Sequence, residues 1–220
     1  MTSEDSMVKV KKFWNDIAED FDAIYTGEKK SALSRALDRL FRKDIYQRLD
    51  WVMRSSGDIP GQTICDIGCG SGRFVAEFAR RGARRVVGVD VAPNMLKLAA
   101  DLVAAQGAGG VCEFVHADVL DWKTAETFDT TIAIGLWDYI EHPAERLRNI
   151  RKMTKGRFLS AWPRFWTWRM PVRKVRLTLA GCPVYFFRRD QVTRHLEDAG
   201  FRIESFETVG KLFCVDARPR

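Results

Sequence analysis

Two acidic side chains, each at the end of a short apolar segment, are the residues of this chain best placed to do chemistry. Asp66 directly precedes the glycine-rich stretch 68–72, and Asp90 ends the apolar segment 85–89. Glycine has no Cβ and tolerates positive φ, so such a turn lets the backbone approach a ligand closely. A carboxylate at Asp90 can accept hydrogen bonds from two vicinal hydroxyls. The pattern therefore indicates a site for a ligand that contains a ribose.

The glycine stretch lies between an apolar run at 63–65 and a segment of helical periodicity at 74–79, which predicts a strand, a turn and a helix in succession. The first turn of such a helix offers unpaired N–H groups to a polar ligand. Dinucleotide-binding loops need a small residue at the sixth position of their fingerprint, and this chain has Arg73 there. The loop is therefore a poor match to a nicotinamide-dependent dehydrogenase.

The motifs 66–72 and 87–90 together resemble the class I S-adenosylmethionine-dependent methyltransferases, and the resemblance covers residues 61–160. It implies that S-adenosylmethionine is the cofactor. In that family the glycine loop passes under the methionine part, Asp90 would hold the ribose, and Asp118 would accept from the adenine amino group. The implied cofactor contacts are Tyr25, Asp66, Gly68, Gly70, Gly72, Asp90, Val91, Met95, Asp118, Val119 and Gly135.

Several of these residues have structural interpretations that the sequence leaves open. Asp90 can cap the helix that begins near Pro93, and Asp118 can be an ordinary turn aspartate. Met95 and Tyr25 can be packing residues.

The alternation of apolar strands and amphipathic helices predicts an α/β fold with right-handed crossovers. With the resemblance, we expect a Rossmann-like, doubly wound, mostly parallel seven-stranded sheet with an antiparallel C-terminal hairpin. The expected strands are 63–67, 85–90, 111–116, 128–134, 156–161, 202–208 and 211–217. The expected helices between them are 72–81, 93–105, 143–153 and 190–199.

Upstream of this alternation, the periodicity predicts helices at 8–25 and 31–53. We expect residues 1–58 to form an N-terminal helical cap over the active site and residues 59–220 to form the cofactor-binding core. Within that core, residues 162–187 are expected to be a substrate lid.

The segment 162–176 mixes four large aromatic residues with five cations and has no acidic residue. Arginine suits both anions and aromatic faces, so an apolar, anionic small molecule is the expected acceptor. The alternatives are a cap that packs its aromatics inward, or peripheral contact with an anionic membrane. The predicted substrate contacts are Trp162, Arg164, Trp166 and Arg169.

Residues for acid–base work or metal binding follow the fourth strand. Asp138, Glu141 and His142 have the i, i+3, i+4 spacing of metal ligands if helical, and the pattern resembles quinone-pathway O-methyltransferases. Pro143 disfavours a helical conformation at His142, and we expect no metal. Tyr139 and His142 are the candidate bases.

The predicted function is S-adenosylmethionine-dependent O-methylation of a small aromatic, tetrapyrrole-like or lipidic acceptor; the segment 79–90 is also similar to magnesium-protoporphyrin O-methyltransferases. The alternatives are a non-catalytic cofactor-binding protein on the same fold, or an RNA or protein methyltransferase. The net charge of +7 permits nucleic acid. However, no RNA-binding module or Asn-Pro-Pro-Tyr-like motif is present, so we do not expect nucleic acid.

Composition and cysteine usage indicate the compartment. The five cysteines are scattered and odd in number, which is typical of free thiols in a reducing environment. The N-terminus lacks the features of a signal peptide, and no apolar run approaches the roughly 20 residues that cross a bilayer. We therefore expect a cytoplasmic protein, while the oligomeric state stays open.

Overall fold

The computed structural model describes residues 3–16, 18, 46–165, 177–178 and 182–220. These residues contain a seven-stranded sheet with the order β3-β2-β1-β4-β5-β7-β6. Strands β1 to β5 pair in parallel, and β7 runs antiparallel to both β5 and β6. The predicted fold class is thus confirmed. The strands are β1 Thr63–Ile67, β2 Arg85–Asp90, β3 Cys112–His116, β4 Phe128–Ile134, β5 Thr154–Pro163, β6 Phe201–Val209 and β7 Leu212–Pro219.

The helices of the core lie close to their predicted positions, and Pro93 occupies the first turn of its helix as expected. The N-terminal helix begins at Ser3, earlier than predicted, and the remainder of the predicted segments 8–25 and 31–53 lies largely outside the described residues. Residues 46–55 are helical. The helices are α1 Ser3–Asp16, α2 Arg73–Arg80, α3 Pro93–Ala105, α4 Ala144–Met153 and α5 Arg189–Asp198.

The sheet is covered on both faces by apolar side chains. Strand β4 is buried along nearly its whole length, which is typical of a parallel strand between two helical layers. On one face, the indole rings of Trp137 and Trp162 stack with centroids 4.2 Å apart and planes 5° from parallel. Strand β5 is longer than predicted because Trp162 and Pro163 still pair with β7.

The strand order reverses at β1, which lies between β2 and β4. In open α/β sheets, ligands bind beyond the carboxyl ends of the strands at such a reversal point. The loops that follow β1, β2, β3 and β4 therefore meet at one crevice, and these loops contain most of the predicted cofactor residues.

Candidate functional site

Asp66 is a buried carboxylate near the end of β1, paired in register with Gly88 of β2 and Ile132 of β4. It is only 1% exposed, and neither carboxylate oxygen has a hydrogen-bond partner among the described residues. Burial, with a smaller effect from the charge of Asp90, raises the pKa of Asp66 to about 8. An unpaired buried polar group is costly, so Asp66 marks a place where a ligand would complete the site.

The glycine loop that follows has three residues in the left-handed region, with φ of 75° at Gly68, 51° at Gly70 and 75° at Gly72. A Cβ on Gly72 would lie 2.6 Å from the Cβ of Ala99 in α3, so glycine is needed there for close helix packing. A Cβ on Gly70 would meet no atom within 4 Å. The loop therefore leaves an open space at Gly70 where a ligand can approach the backbone.

Asp90 ends β2 and connects two loops of the site. Its Oδ2 accepts a hydrogen bond from the N–H of Gly70, and its Oδ1 accepts one from the N–H of Ala92, both at 2.9 Å. Burial raises the pKa of Asp90, while these two hydrogen bonds oppose that rise. A carboxylate has lone pairs for about four hydrogen bonds, so two further donors, such as ribose hydroxyls, fit. Asp90 thus also takes part in the helix entrance that the sequence left as an alternative.

Asp118 lies in the turn after β3. Its Oδ1 accepts from the N–H of Leu120 at 2.9 Å, and its Oδ2 accepts from Nη2 of Arg146 at 2.8 Å. The N–H of Ala117 donates to the carbonyl oxygen of Asp90 at 3.1 Å, which brings this turn next to the ribose candidate. The side chain of Val119 packs in the hydrophobic core at 3% exposure, so the prediction of a cofactor wall there is corrected to a core contact.

Two other predicted adenine contacts lie after β2. Met95 is 1% exposed and packs in a small cluster with Ala18 and Ala92, so the packing interpretation holds for its side chain. Val91 is half-buried, and its carbonyl oxygen lies 3.1 Å from Nε2 of His116.

The N-terminal helix α1 crosses this part of the molecule. Asn94, in the first turn of α3, donates from its N–H to Oδ1 of Asn15 at 3.2 Å and from its Nδ2 to the carbonyl oxygen of Asn15 at 3.0 Å. The ring of Trp14 meets that of Tyr139 edge-on, with centroids 5.5 Å apart. Helix α1 therefore joins the loop after β2 to the loop after β4. Tyr25, the other predicted contact of this segment, lies outside the described residues.

Gly135 follows β4 with φ of 89°, as a close backbone approach requires. Nη1 of Arg48, from the helical residues 46–55, would lie 3.8 Å from a Cβ on Gly135. A cation therefore sits at the methionine end of the expected site. Sequence reasoning missed Arg48 because a single arginine in an amphipathic helix is not distinguishable from its neighbours without the fold.

The predicted bases lie in the segment after Gly135. Tyr139 ends a 3-10 turn and is half-buried, whereas His142 is exposed. Asp138 is 4% exposed, and Glu141 accepts a hydrogen bond at Oε2 from the phenol of Tyr185 at 3.2 Å. Over the described ranges, no group of three or more His, Cys, Asp or Glu side chains that could hold a metal is found.

The predicted substrate contacts are only partly described. Trp162 is fully buried against Trp137 and donates from Nε1 to Oγ of Ser160, so its predicted substrate role is corrected to a packing role. Arg164 lies over the ring of Phe213 at 5.4 Å and donates to the carbonyl oxygen of Gly210 in the β6–β7 hairpin. Its described contacts therefore are with the hairpin. Trp166 and Arg169 lie outside the described residues.

The fold and this set of loops define the class of protein. Residues 64–156 match the family described as a methyltransferase domain. This segment is a methyltransferase domain of the class I, S-adenosylmethionine-dependent type, which confirms the resemblance seen in the sequence. The cofactor of that class is S-adenosylmethionine, and the buried Asp66 carboxylate, the open space at Gly70 and the acceptor at Asp90 fit it.

The relatives are enzymes of several kinds. A ubiquinone biosynthesis O-methyltransferase of Aeromonas salmonicida is 32% identical over 108 residues, covering 49% of this chain and 45% of that protein. An uncharacterized methyltransferase of Schizosaccharomyces pombe is 28% identical over 190 residues, covering 77% and 67%. The chain thus spans about half the length of the ubiquinone-pathway relatives it matches.

Solved structures share the fold at low identity. The magnesium protoporphyrin IX methyltransferase of Synechocystis PCC 6803, with bound S-adenosylhomocysteine, superposes with a TM-score of 0.78 at 18% identity, covering 96% of this chain and 98% of that one. A [4+2]-cyclase, SpnF, superposes with a TM-score of 0.73 at 17% identity, covering 96% and 94%. The fold is thus shared with a protein named for a different reaction. No helix in the described segments is long and apolar enough to cross a membrane.

Proposed function

We propose that this protein transfers a methyl group from S-adenosylmethionine to a small-molecule acceptor. The observation that carries the proposal is the buried Asp66 carboxylate, which has no hydrogen-bond partner in the described part of the chain, beside the open turn at Gly70. A ligand with an ammonium group would give Asp66 the partner it lacks, and the cofactor has both an ammonium and a sulfonium. A charge-assisted hydrogen bond of this kind is stronger than a neutral one.

The residues of the crevice divide the cofactor among them. Asp66 and the amides of the glycine loop face the amino-acid part, and Arg48 suits its carboxylate by charge and position. Asp90 accepts from the ribose hydroxyls. Asp118, in the adjacent turn, accepts from the adenine amino group.

When bound, S-adenosylmethionine supplies an electrophilic methyl group that an acceptor atom displaces in line. The protein positions the acceptor at the end of β4 and excludes water, which can contribute several kcal/mol when the reacting atoms are aligned. An acceptor hydroxyl must also lose a proton. Tyr139 and His142 are candidates to receive it because both follow Gly135 in the same loop.

We propose O-methylation of an aromatic, tetrapyrrole-like or lipidic acceptor that is apolar and anionic. The names of the ubiquinone-pathway and magnesium-protoporphyrin relatives support this class of acceptor. The cationic, aromatic composition of residues 162–176 supports it too, and suits peripheral contact with an anionic membrane. The free state of all five cysteines supports a reducing, cytoplasmic location.

The test is to incubate the protein with S-adenosylmethionine that carries a deuterated methyl group and a metabolite extract of its source cell. We expect one small molecule to gain the labelled methyl group, only when both the protein and the labelled cofactor are present, and not with Asp90→Ala. Binding of S-adenosylhomocysteine with no transfer to any metabolite, RNA or protein would instead support a non-catalytic cofactor-binding protein.

A further inference from the structure

Arg146 is an almost fully buried cation in the first turns of α4, next to the loop expected to meet adenine. Its side chain is 6% exposed, and Nη2 donates to Oδ2 of Asp118 at 2.8 Å. The Asp118 side chain is itself only 16% exposed. Charges this deeply buried persist when they are paired, and a guanidinium holds a carboxylate in a defined orientation. The position of the Asp118 carboxylate therefore depends on Arg146.

Helix α4 holds the same turn at a second point. Nδ2 of Asn149 donates to the carbonyl oxygen of Val119 at 3.3 Å. Arg146 and Asn149 are three residues apart and thus lie on the same face of α4. The N–H of Leu120 closes the turn by donating to Oδ1 of Asp118. The carboxylate is therefore fixed from both sides before any ligand arrives.

The two hydrogen bonds use one lone pair on each carboxylate oxygen, and a carboxylate has lone pairs for about four. We propose that Arg146 is a positioning residue for adenine recognition, which orients Asp118 so that a remaining lone pair accepts from the exocyclic amino group of the purine. This inference rests on the proposed function. It predicts selection of a 6-amino purine over a 6-oxo purine, because an oxygen facing a fixed carboxylate has no proton to donate.

The experiment compares the affinities of S-adenosylhomocysteine and S-inosylhomocysteine by calorimetry. Loss of one hydrogen bond to a charged group corresponds to about a 10- to 100-fold preference for the adenosine compound in the wild-type protein. In Arg146→Met we expect this ratio to fall below about 3-fold, whereas Arg146→Lys restores it in part. The matched control is Arg148→Met, which removes an exposed cation from the same helix and leaves the ratio unchanged.

The ratio separates positioning from a purely structural role, because general loosening of the site weakens both ligands equally. Asp118→Ala should also lose the ratio, and adding Arg146→Met to it should change the ratio no further. A wild-type ratio in Arg146→Met would overturn the inference, even if both affinities dropped. Failure of the wild-type protein to bind S-adenosylhomocysteine would instead contradict the proposed function. If Arg146→Met does not fold, Arg146→Gln is measured against the same criterion.

Discussion

The N–H of Gly70 donates to Oδ2 of Asp90 at 2.9 Å, and this hydrogen bond joins the glycine loop after β1 to the acid at the end of β2. Because the acceptor is a buried carboxylate, the bond contributes about 1.5–3 kcal/mol. In Asp90→Ala we therefore expect hydrogen exchange at the Gly70 amide of the ligand-free protein to speed up at least about 10-fold. The control is Asp101→Ala, which removes an exposed carboxylate from α3. Equal protection of Gly70 in all three proteins would contradict this role of Asp90.

Asp66 gives the cofactor site a pH dependence whose sign follows from its pKa of about 8. At pH 7 such a carboxyl is about nine-tenths protonated. A ligand ammonium favours the charged form, so binding of S-adenosylhomocysteine must displace this proton. We expect the affinity to rise as the pH increases from 6 to about 8. Calorimetry at pH 7 in buffers of different ionisation enthalpy should report release of nearly one proton.

The matched variant is Asp66→Asn, which has no proton to release. We expect its binding to be weaker and free of the proton release at pH 7. Equal proton release by the wild-type and Asp66→Asn proteins would assign the titration to another group.

Gly70 and Gly61 provide a matched pair that separates ligand contact from backbone strain. Both have positive φ, and a Cβ on either meets no atom within 4 Å. Alanine at each position therefore costs about 1–2 kcal/mol of folding stability. Only Gly70→Ala places a methyl group in the proposed cofactor space, so we expect at least about a 10-fold loss of S-adenosylhomocysteine affinity there and none for Gly61→Ala. Thermal unfolding and calorimetry of the two variants make the comparison.

Trp162 should behave as a core residue. Trp162→Phe shortens the stack on Trp137 and removes the hydrogen bond to Ser160, so we expect a loss of about 1–3 kcal/mol in the free energy of unfolding. The control is Phe165→Leu at a residue that is 40% exposed, with a change within about 0.5 kcal/mol. S-adenosylhomocysteine affinity should be unchanged in both. A specific loss of acceptor affinity in Trp162→Phe, with unchanged stability, would restore its substrate role.

The sequence was sufficient for the strands and for the residues fixed by local backbone geometry. Gly68, Gly70 and Gly72 all adopt the positive φ expected of them, because a tight turn between strand and helix admits few other residues. Asp90 was found for a similar reason, since its position at the end of β2 follows from strand length alone.

Contacts between distant elements were not predictable in this way. Arg48 reaches Gly135 from the N-terminal side of the core, and Arg146 reaches Asp118 from a different helix. Trp162 was misassigned because an aromatic residue near a cationic segment has the same appearance in sequence whether its ring faces a ligand or the core. Only the register of β5 against β7 places it inside.

The central claim is that the loops around Asp66 and Asp90 bind S-adenosylmethionine. Its most direct test is calorimetric titration of S-adenosylhomocysteine into the wild-type, Asp90→Ala and Asp101→Ala proteins, with folding of each verified by thermal unfolding. We predict micromolar binding by the wild-type and Asp101→Ala proteins and none measurable for folded Asp90→Ala. Equal affinity in all three proteins, or no binding by the wild-type protein, would contradict the assignment of this site.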